Sequence, residues 1–330
     1  MEEIKRAFKQ FVDKKVIVIG DVMVDTYIHG KVNRISPEAP VPVVNFESRS
    51  NHLGGAANVA LNIKALGATA FICSFIGQDD NGLLFNKLLS ENHLSSNGIL
   101  ESDERMTSVK TRVIGNNQQL LRVDEEITED LTSVMQYNLI EKVKSIAIQE
   151  KIDAIIFEDY NKGILTEQLI TNIIEFSTKN NIVTCVDPKI KNFLAYKNVT
   201  LFKPNLKELK NGLMVDFDYP KHKDRFLQAV ESLKDKLNHQ YTLITLSEHG
   251  VFLDNGSTNH FIPAHYRNIA DVSGAGDTVI SVAALCLISG LDTKNTAEIA
   301  NLAGGLVCEK VGVISVDKEQ LLTEAIKSIQ

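Results

Sequence analysis

Residues 153–187 read DAIIFEDYNKGILTEQLITNIIEFSTKNNIVTCVD. The apolar run 153–157 stops at Glu158 and Asp159. A second run, 182–186, stops at Asp187 and is followed by Lys189. Between them, roughly 166–180 carries apolar residues at helical spacing. Short unbroken apolar runs read as strands buried on both faces. A helix joining two such runs reads as a crossover, which makes the strands parallel.

The same rhythm extends in both directions. Further apolar runs lie at 16–19, 70–76, 200–202 and 241–246, with helical periodicity at about 56–66, 81–91, 131–149 and 225–237. Ile4, Phe8, Phe11 and Val12 mark an amphipathic helix at the start, and helical patterns at about 275–289, 295–310 and 318–328 close the chain. The expected fold class is α/β, a mainly parallel sheet with helices on both faces in three layers. Two segments break the pattern. Residues 28–53 hold three prolines, and 107–124 (TSVKTRVIGNNQQLLRVD) alternate in period two around Gly115-Asn116-Asn117, a hairpin signal. They predict a small separate sheet serving as a lid on one domain that spans 1–330.

Composition narrows the function. The 330 residues are 44% hydrophobic and 23% charged with a net charge of −7, enough apolar material for a large core and no basic footprint for nucleic acid. The longest apolar stretch, Val279 to Leu291, is too short to span a bilayer. The N-terminal MEEIKRAFKQ lacks the apolar centre of a signal peptide, so a cytoplasmic location is expected. Cys73, Cys185, Cys286 and Cys308 are far apart, which suggests neither a disulfide framework nor a zinc cluster. The eight histidines show no ligand spacing.

In an open parallel sheet, ligands bind beyond the carboxyl ends of the strands. The polar residues ending the apolar runs should therefore converge: Asp21, Glu158 with Asp159, Asp187 with Lys189, Asn205 and Ser247. The strongest motif is Asp271-Val272-Ser273-Gly274-Ala275-Gly276-Asp277, leading into an apolar helix. Glycines leave backbone amides unobstructed at the positive end of that helix, where negative charge is stabilised. Asp277 beside such an anion site suits a general base. A second motif, Gly54-Gly55-Ala56-Ala57-Asn58, opens another helix with small residues, which serves close approach of a ligand or tight helix–sheet packing equally well. Neither GxxxxGK[ST] nor a strand-borne GxGxxG is present, which disfavours a P-loop kinase and a dinucleotide dehydrogenase.

DVSGAGD at 271–277 and the GGAAN helix start at 54–58 resemble the two signatures of the PfkB, ribokinase-like carbohydrate kinases. More narrowly, GDVMVD at 20–25, RISPEAPVPV at 34–43, KTR at 110–112, QQLLRVD at 118–124, DYNKG at 159–163 and DPK at 187–189 are similar to the heptose 7-phosphate kinases. That resemblance implies a ribokinase-like fold and transfer of phosphate from ATP to the anomeric hydroxyl of D-glycero-D-manno-heptose 7-phosphate, giving the 1,7-bisphosphate for lipopolysaccharide precursors. It implies Asp277 as base and Gly274, Ala275 and Gly276 as the anion hole. Asn205 and Glu208 would hold Mg²⁺ largely through water, and Ser247, Gly250, Asn301 and Asp271 would lie around the nucleotide. Asp25, Gly54, Gly55 and Asn58 match sugar-binding positions, with Asp21 a close neighbour. Many such kinases carry a nucleotidyltransferase domain with an HxGH-type motif. None is found up to Gln330, so the single-function form is expected. Glu158 departs from the small residue that usually precedes the Asp-Tyr pair.

A sugar phosphate needs cations, and Lys110, Arg112, Arg122 and Lys189 are the candidates, with Arg112 and Lys189 favoured by their placement on the lid hairpin and at a strand end. A lid that excludes water keeps a kinase from hydrolysing ATP. Its apolar face must be buried somewhere, so a homodimer through the lid is expected. A monovalent cation is a further open requirement. Two other functions remain open from sequence: a kinase of this family for another sugar or sugar phosphate, and a non-catalytic sugar-phosphate-binding protein.

Overall fold

The computed structural model describes residues 1–265 and 267–329. Its strands, in chain order, begin with β1 (Lys15–Gly20), β2 (Val22–Ile35), β3 (Pro42–Gly55), β4 (Thr69–Gly77) and β5 (Ile99–Ser102). There follow β6 (Val109–Gly115), β7 (Gln118–Glu125), β8 (Ala154–Glu158), β9 (Val183–Asp187) and β10 (Leu201–Phe202). The last are β11 (Tyr241–Thr245), β12 (Val251–Asp254) and β13 (Asn259–Ile262). Helices α1 (Glu2–Gln10), α2 (Ala56–Ala65), α3 (Asp80–Glu91), α4 (Ser133–Glu150) and α5 (Glu167–Lys179) alternate with the earlier strands. Later come α6 (Leu206–Leu213), α7 (Lys223–Leu237), α8 (Ala275–Ile288), α9 (Thr293–Val307) and α10 (Lys318–Ser328).

The main sheet runs β13-β12-β11-β10-β9-β8-β1-β4-β5. Pairings from β11 through β5 are parallel, and β12 and β13 add an antiparallel edge. Alternate residues of one strand enter opposite cores. Val16, Val18 and Ile156 join the apolar cluster containing α1, α2, α3, α8, α9 and α10, whereas Ile17, Ile19, Ile155 and Phe157 join the one containing α4, α5, α6 and α7. This two-sided burial is why the runs are apolar without interruption, and each such aliphatic side chain contributes about 1.5–3 kcal/mol relative to exposure. The three-layer α/β expectation holds.

The second sheet is β3-β2-β6-β7. It uses both segments singled out in sequence, but β2 starts at Val22, directly beyond the end of β1, so its root is buried while its outer half is exposed. The hairpin turn between β6 and β7 has Asn116 at φ 51° and Asn117 at φ 65°, the left-handed pair that a two-residue turn needs. The antiparallel pair β12–β13 was not foreseen, because its strands are only four residues long and their alternation is too brief to stand out. Among the described residues no helix is long and apolar enough to cross a membrane.

Candidate active site

The loops after β1, β8, β9 and β10 meet the starts of α2 and α8. Gly274 sits at φ +78°, a conformation L side chains rarely adopt, and it turns the chain into α8. The Ala275 amide reaches back to the Val272 carbonyl at 3.3 Å. Among the described residues no acceptor takes the amides of Gly274 and Gly276, so these two are the free donors of the expected three. Asp271 stands behind the turn: its carboxylate accepts the Ser273 amide at 2.9 Å and the Gly312 amide at 3.0 Å. In this arrangement it shapes the turn.

Asp277, 7% exposed, lies on the first turn of α8. Its Oδ2 accepts from Asn58 Nδ2 at 2.6 Å and its Oδ1 from the Tyr160 hydroxyl at 3.0 Å. Burial pushes its carboxyl up to about 6, with Asp187 adding to the rise and Asn58 and Tyr160 opposing it. A carboxylate so tuned can accept a proton near neutral pH and is held in one orientation. Asn58 reaches it because α2 starts beside α8; a Cβ on Gly274 would come within 3.0 Å of Asn58 Nδ2.

Gly54 and Gly55 let β3 turn into α2 against β2. A Cβ on Gly54 would meet Asp25 Oδ2 at 2.2 Å, and one on Gly55, at φ +61°, would meet the Asp21 carbonyl at 2.3 Å. Their visible service is close packing. Asp21 lies deeper than a strand-end residue facing a ligand needs to. It is 1% exposed, and its carboxylate accepts the backbone amides of Tyr160 (2.8 Å), Lys162 (3.1 Å) and Ile164 (3.1 Å). Burial and then Asp159 push its carboxyl up to about 6. It clamps the 160–164 loop that carries Tyr160, with Oδ2 taking two of the amides and Oδ1 the third.

Asp187 anchors a charged cluster under the glycine turn. Its Oδ2 pairs with Lys203 Nζ at 2.8 Å, and Lys203 is 2% exposed. A Cβ on Gly276 would lie 3.5 Å from Asp187 Oδ2 and 3.7 Å from Lys203 Nζ, so the pair touches the turn. Burial alone would raise the Asp187 carboxyl, but Lys203 and Lys189 hold it below its usual range. Lys189 lies 2.6 Å from Glu208 Oε1 and 3.6 Å from Asp187 Oδ1, with its Nζ 5.5 Å from the centre of the Tyr160 ring. Burial opposes its charge, but Asp187 and Glu208 raise its pKa overall. It therefore belongs to this cluster, paired with both acids.

Asn205 and Glu208 form a reciprocal capping box on α6: Asn205 Oδ1 accepts the Glu208 amide and Glu208 Oε2 accepts the Asn205 amide, both at 2.8 Å. Ser247 (φ 53°) and Gly250 (φ 85°) shape the tight β11–β12 turn, and a Cβ on Gly250 would meet the Ile262 carbonyl at 2.1 Å. Asn301 Nδ2 donates to the Pro263 carbonyl at 2.9 Å, so Gly250 and Asn301 meet at 262–264, with Ser247 bonded to Gly250 through the turn.

On the small sheet, Asp25 Oδ1 pairs with Arg112 Nη1 at 2.5 Å, and the Arg112 guanidinium lies 5.2 Å from the centre of the Tyr27 ring. Lys110 pairs with Asp124 (3.2 Å) and Glu126 (2.9 Å), and Arg122 with Asp124, so both are neutralised locally.

Sequence reasoning missed Tyr160 and Lys203. Tyr160 lay inside a quoted motif, but a phenol gives no hint of its target until the loop is folded. Lys203 directly follows the apolar run 200–202, and the strand-end rule applied there would have found it.

A family model described as pfkB family carbohydrate kinase matches residues 13–320. The chain is 38% identical over 309 residues to the bifunctional protein HldE of Helicobacter pylori strain G27, covering 93% of this chain and 65% of that protein. It is 39% identical over 310 residues to HldE of Koribacter versatilis, covering 94% and 63%. The chain thus spans less than two thirds of the length of these relatives. Phosphofructokinase-2 from Escherichia coli in complex with potassium superposes with a TM-score of 0.76 at 17% identity, covering 95% of this chain and 99% of that one. Ribokinase from Arabidopsis thaliana complexed with ribose and ATP gives 0.72 at 15% identity, with the same coverages. At such identities the likeness is one of fold, and the fold is ribokinase-like.

Proposed function

The chain belongs to the pfkB family of carbohydrate kinases, and from that membership we propose that it phosphorylates the anomeric hydroxyl of D-glycero-D-manno-heptose 7-phosphate. ATP-dependent sugar phosphorylation follows from the family; the heptose and the O1 position rest on the sequence motifs at 20–25, 34–43, 110–112, 118–124, 159–163 and 187–189. The observation that carries the chemistry is Asp277, buried beside two free amides and held by Asn58 and Tyr160. In this reading Asp277 takes the hydroxyl proton and the sugar oxygen bonds to the γ-phosphorus. The bond from that phosphorus to the β-bridging oxygen breaks, and ADP leaves with the electron pair. Gly274 and Gly276 amides face the negative charge of the transferring group, with Lys203 and Lys189 beneath them.

Asn205 and Glu208 fit Mg²⁺ only through its water shell, because their oxygens already serve the capping box and Lys189. When bound, Mg²⁺ would supply positive charge to the phosphates. Ser247, Gly250 and Asn301 are assigned to the nucleotide's side of the cleft. Arg112 is assigned to the sugar's 7-phosphate, exchanging Asp25 for it and leaving Asp25 to accept from sugar hydroxyls. A monovalent cation joins this reading because the similar E. coli phosphofructokinase-2 was solved with potassium.

The small sheet serves as the lid of a single kinase domain. Ile35, Phe46, Leu121 and Val123 on it are exposed, and pairing with the lid of a second copy would cover them. The test of the substrate is a panel of sugars and sugar phosphates with coupled detection of ADP. Heptose 7-phosphate is expected to give the highest kcat/KM; a winning unphosphorylated hexose or pentose would remove both the heptose assignment and the role of Arg112.

A further inference from the structure

Glu158 has no part in the scheme above. It ends β8 opposite Gly20 and Asp187, is 0% exposed, and both carboxyl oxygens are buried without a hydrogen-bond partner. An ionised carboxylate so placed would carry its desolvation penalty with no hydrogen bond to offset it, only the more distant charges of Lys189 and Lys203. Carboxylate oxygens of Glu158, Asp187 and Asp277 lie within 4.8 Å of one another, so three acids share one space. The other two anions are supported, Asp277 by Asn58 and Tyr160 and Asp187 by Lys203 and Lys189. Crowded carboxyls titrate as a group, and a shared proton resides where the anion is least stabilised.

We propose that Glu158 is a positioning residue that holds this cluster's proton, remaining a carboxylic acid in the working enzyme so that Asp277 stays ionised to take the proton of the sugar. The inference rests on the reading of Asp277 as base. The charged and titratable groups facing Glu158 are Asp187, Lys189, Lys203 and Asp277, with the phenols of Tyr160 and Tyr196. Burial, then Asp187 and Asp277, raise its proton affinity against the pull of the two lysines. Loss of its proton would put a further negative charge beside the base and the arriving triphosphate, and turnover would fall.

Infrared spectroscopy of the full chain without substrate tests this, because a protonated carboxyl has a C=O stretch that ionised carboxylates lack. At mildly alkaline pH, above the value of about 6 reached by Asp21 and Asp277, the wild type should show that band and E158Q should lose it. Absence of the band in the wild type, or its survival in a folded E158Q, overturns the proposal. Neither result depends on which sugar is used, so it is separable from failure of the heptose assignment. Kinetics provide the second arm, with whichever sugar phosphate turns over. The alkaline fall in wild-type kcat should vanish in E158Q, and an equal fall in both proteins overturns the proposal.

Discussion

The strand ends of the main sheet and the outer half of the small sheet carry the same kinds of residue under opposite conditions. At the strand ends, Asp187 and Lys203 are 4% and 2% exposed and meet at 2.8 Å. On the small sheet every residue of β7 is exposed, and Arg122 and Asp124 pair at the rim in water. Buried charges are costly unless paired and hydrogen-bonded, so each pairing there is obligatory and fixes geometry. Rim pairs in water are worth about 0–1 kcal/mol and can exchange partners. The residues assigned to the chemistry therefore sit on the buried side, and the Asp25–Arg112 pair assigned to recognise substrate sits at the buried root between the two, its side chains 7% and 19% exposed. Glu126 joins the two, bridging Lys110 at 2.9 Å and Lys162 at 2.6 Å.

Substitutions that break this contrast should rank accordingly. The largest effect is expected from Asp277→Asn, with a loss in kcat of about 10²–10⁴-fold while ATP binding, read by calorimetry, persists. Substantial retained turnover would remove Asp277 as the base. Next comes Arg112→Ala, which removes a charged hydrogen bond from the assigned phosphate site. KM for the sugar phosphate should rise about tenfold or more, with a smaller change in kcat. An unchanged KM would place the phosphate elsewhere.

The Asp21 clamp gives a stability test. Asn in its place turns an N–H toward a backbone N–H, so Asp21→Asn should cost about 1–3 kcal/mol in denaturant unfolding. A larger proportional loss of activity should follow, because the 160–164 loop carries Tyr160. An equally stable and active variant would show that the loop holds itself.

The acid side of the pH profile sharpens the picture further. Asp277 must be ionised to accept a proton, so activity should be present above about pH 6 and lost as pH falls through it. The Tyr160 hydrogen bond favours the ionised form, so Tyr160→Phe should move that limb upward by up to about one pH unit. A downward shift would contradict the geometry. The smallest effect belongs to the rim: Arg122→Ala should change stability by less than about 0.5 kcal/mol, since Arg122 pairs in water.

Much of this was legible before folding. The apolar runs at 16–19, 153–157 and 182–186 became central parallel strands because burial on both faces demands residues of that kind at every position. Asp277 and its glycines could be found because the turn, the helix start and the acid are adjacent in the chain. The partners of Asp21 and Lys189 were not legible. Both are polar residues at strand ends, and sequence alone cannot distinguish an acid that faces a ligand from one filled by three amides of a loop 139–143 residues away.

By itself, then, the sequence determined the class of fold, the turn that faces an anion and the acid beside it, because each is a local pattern with a local cause. Only the tertiary structure decided which groups surround that acid: Asn58 from one helix start, Tyr160 from a distant loop, and Glu158 and Asp187 from neighbouring strands. Protonation is set by burial and by the partners within a few ångströms, and those distances do not exist until the layers have closed.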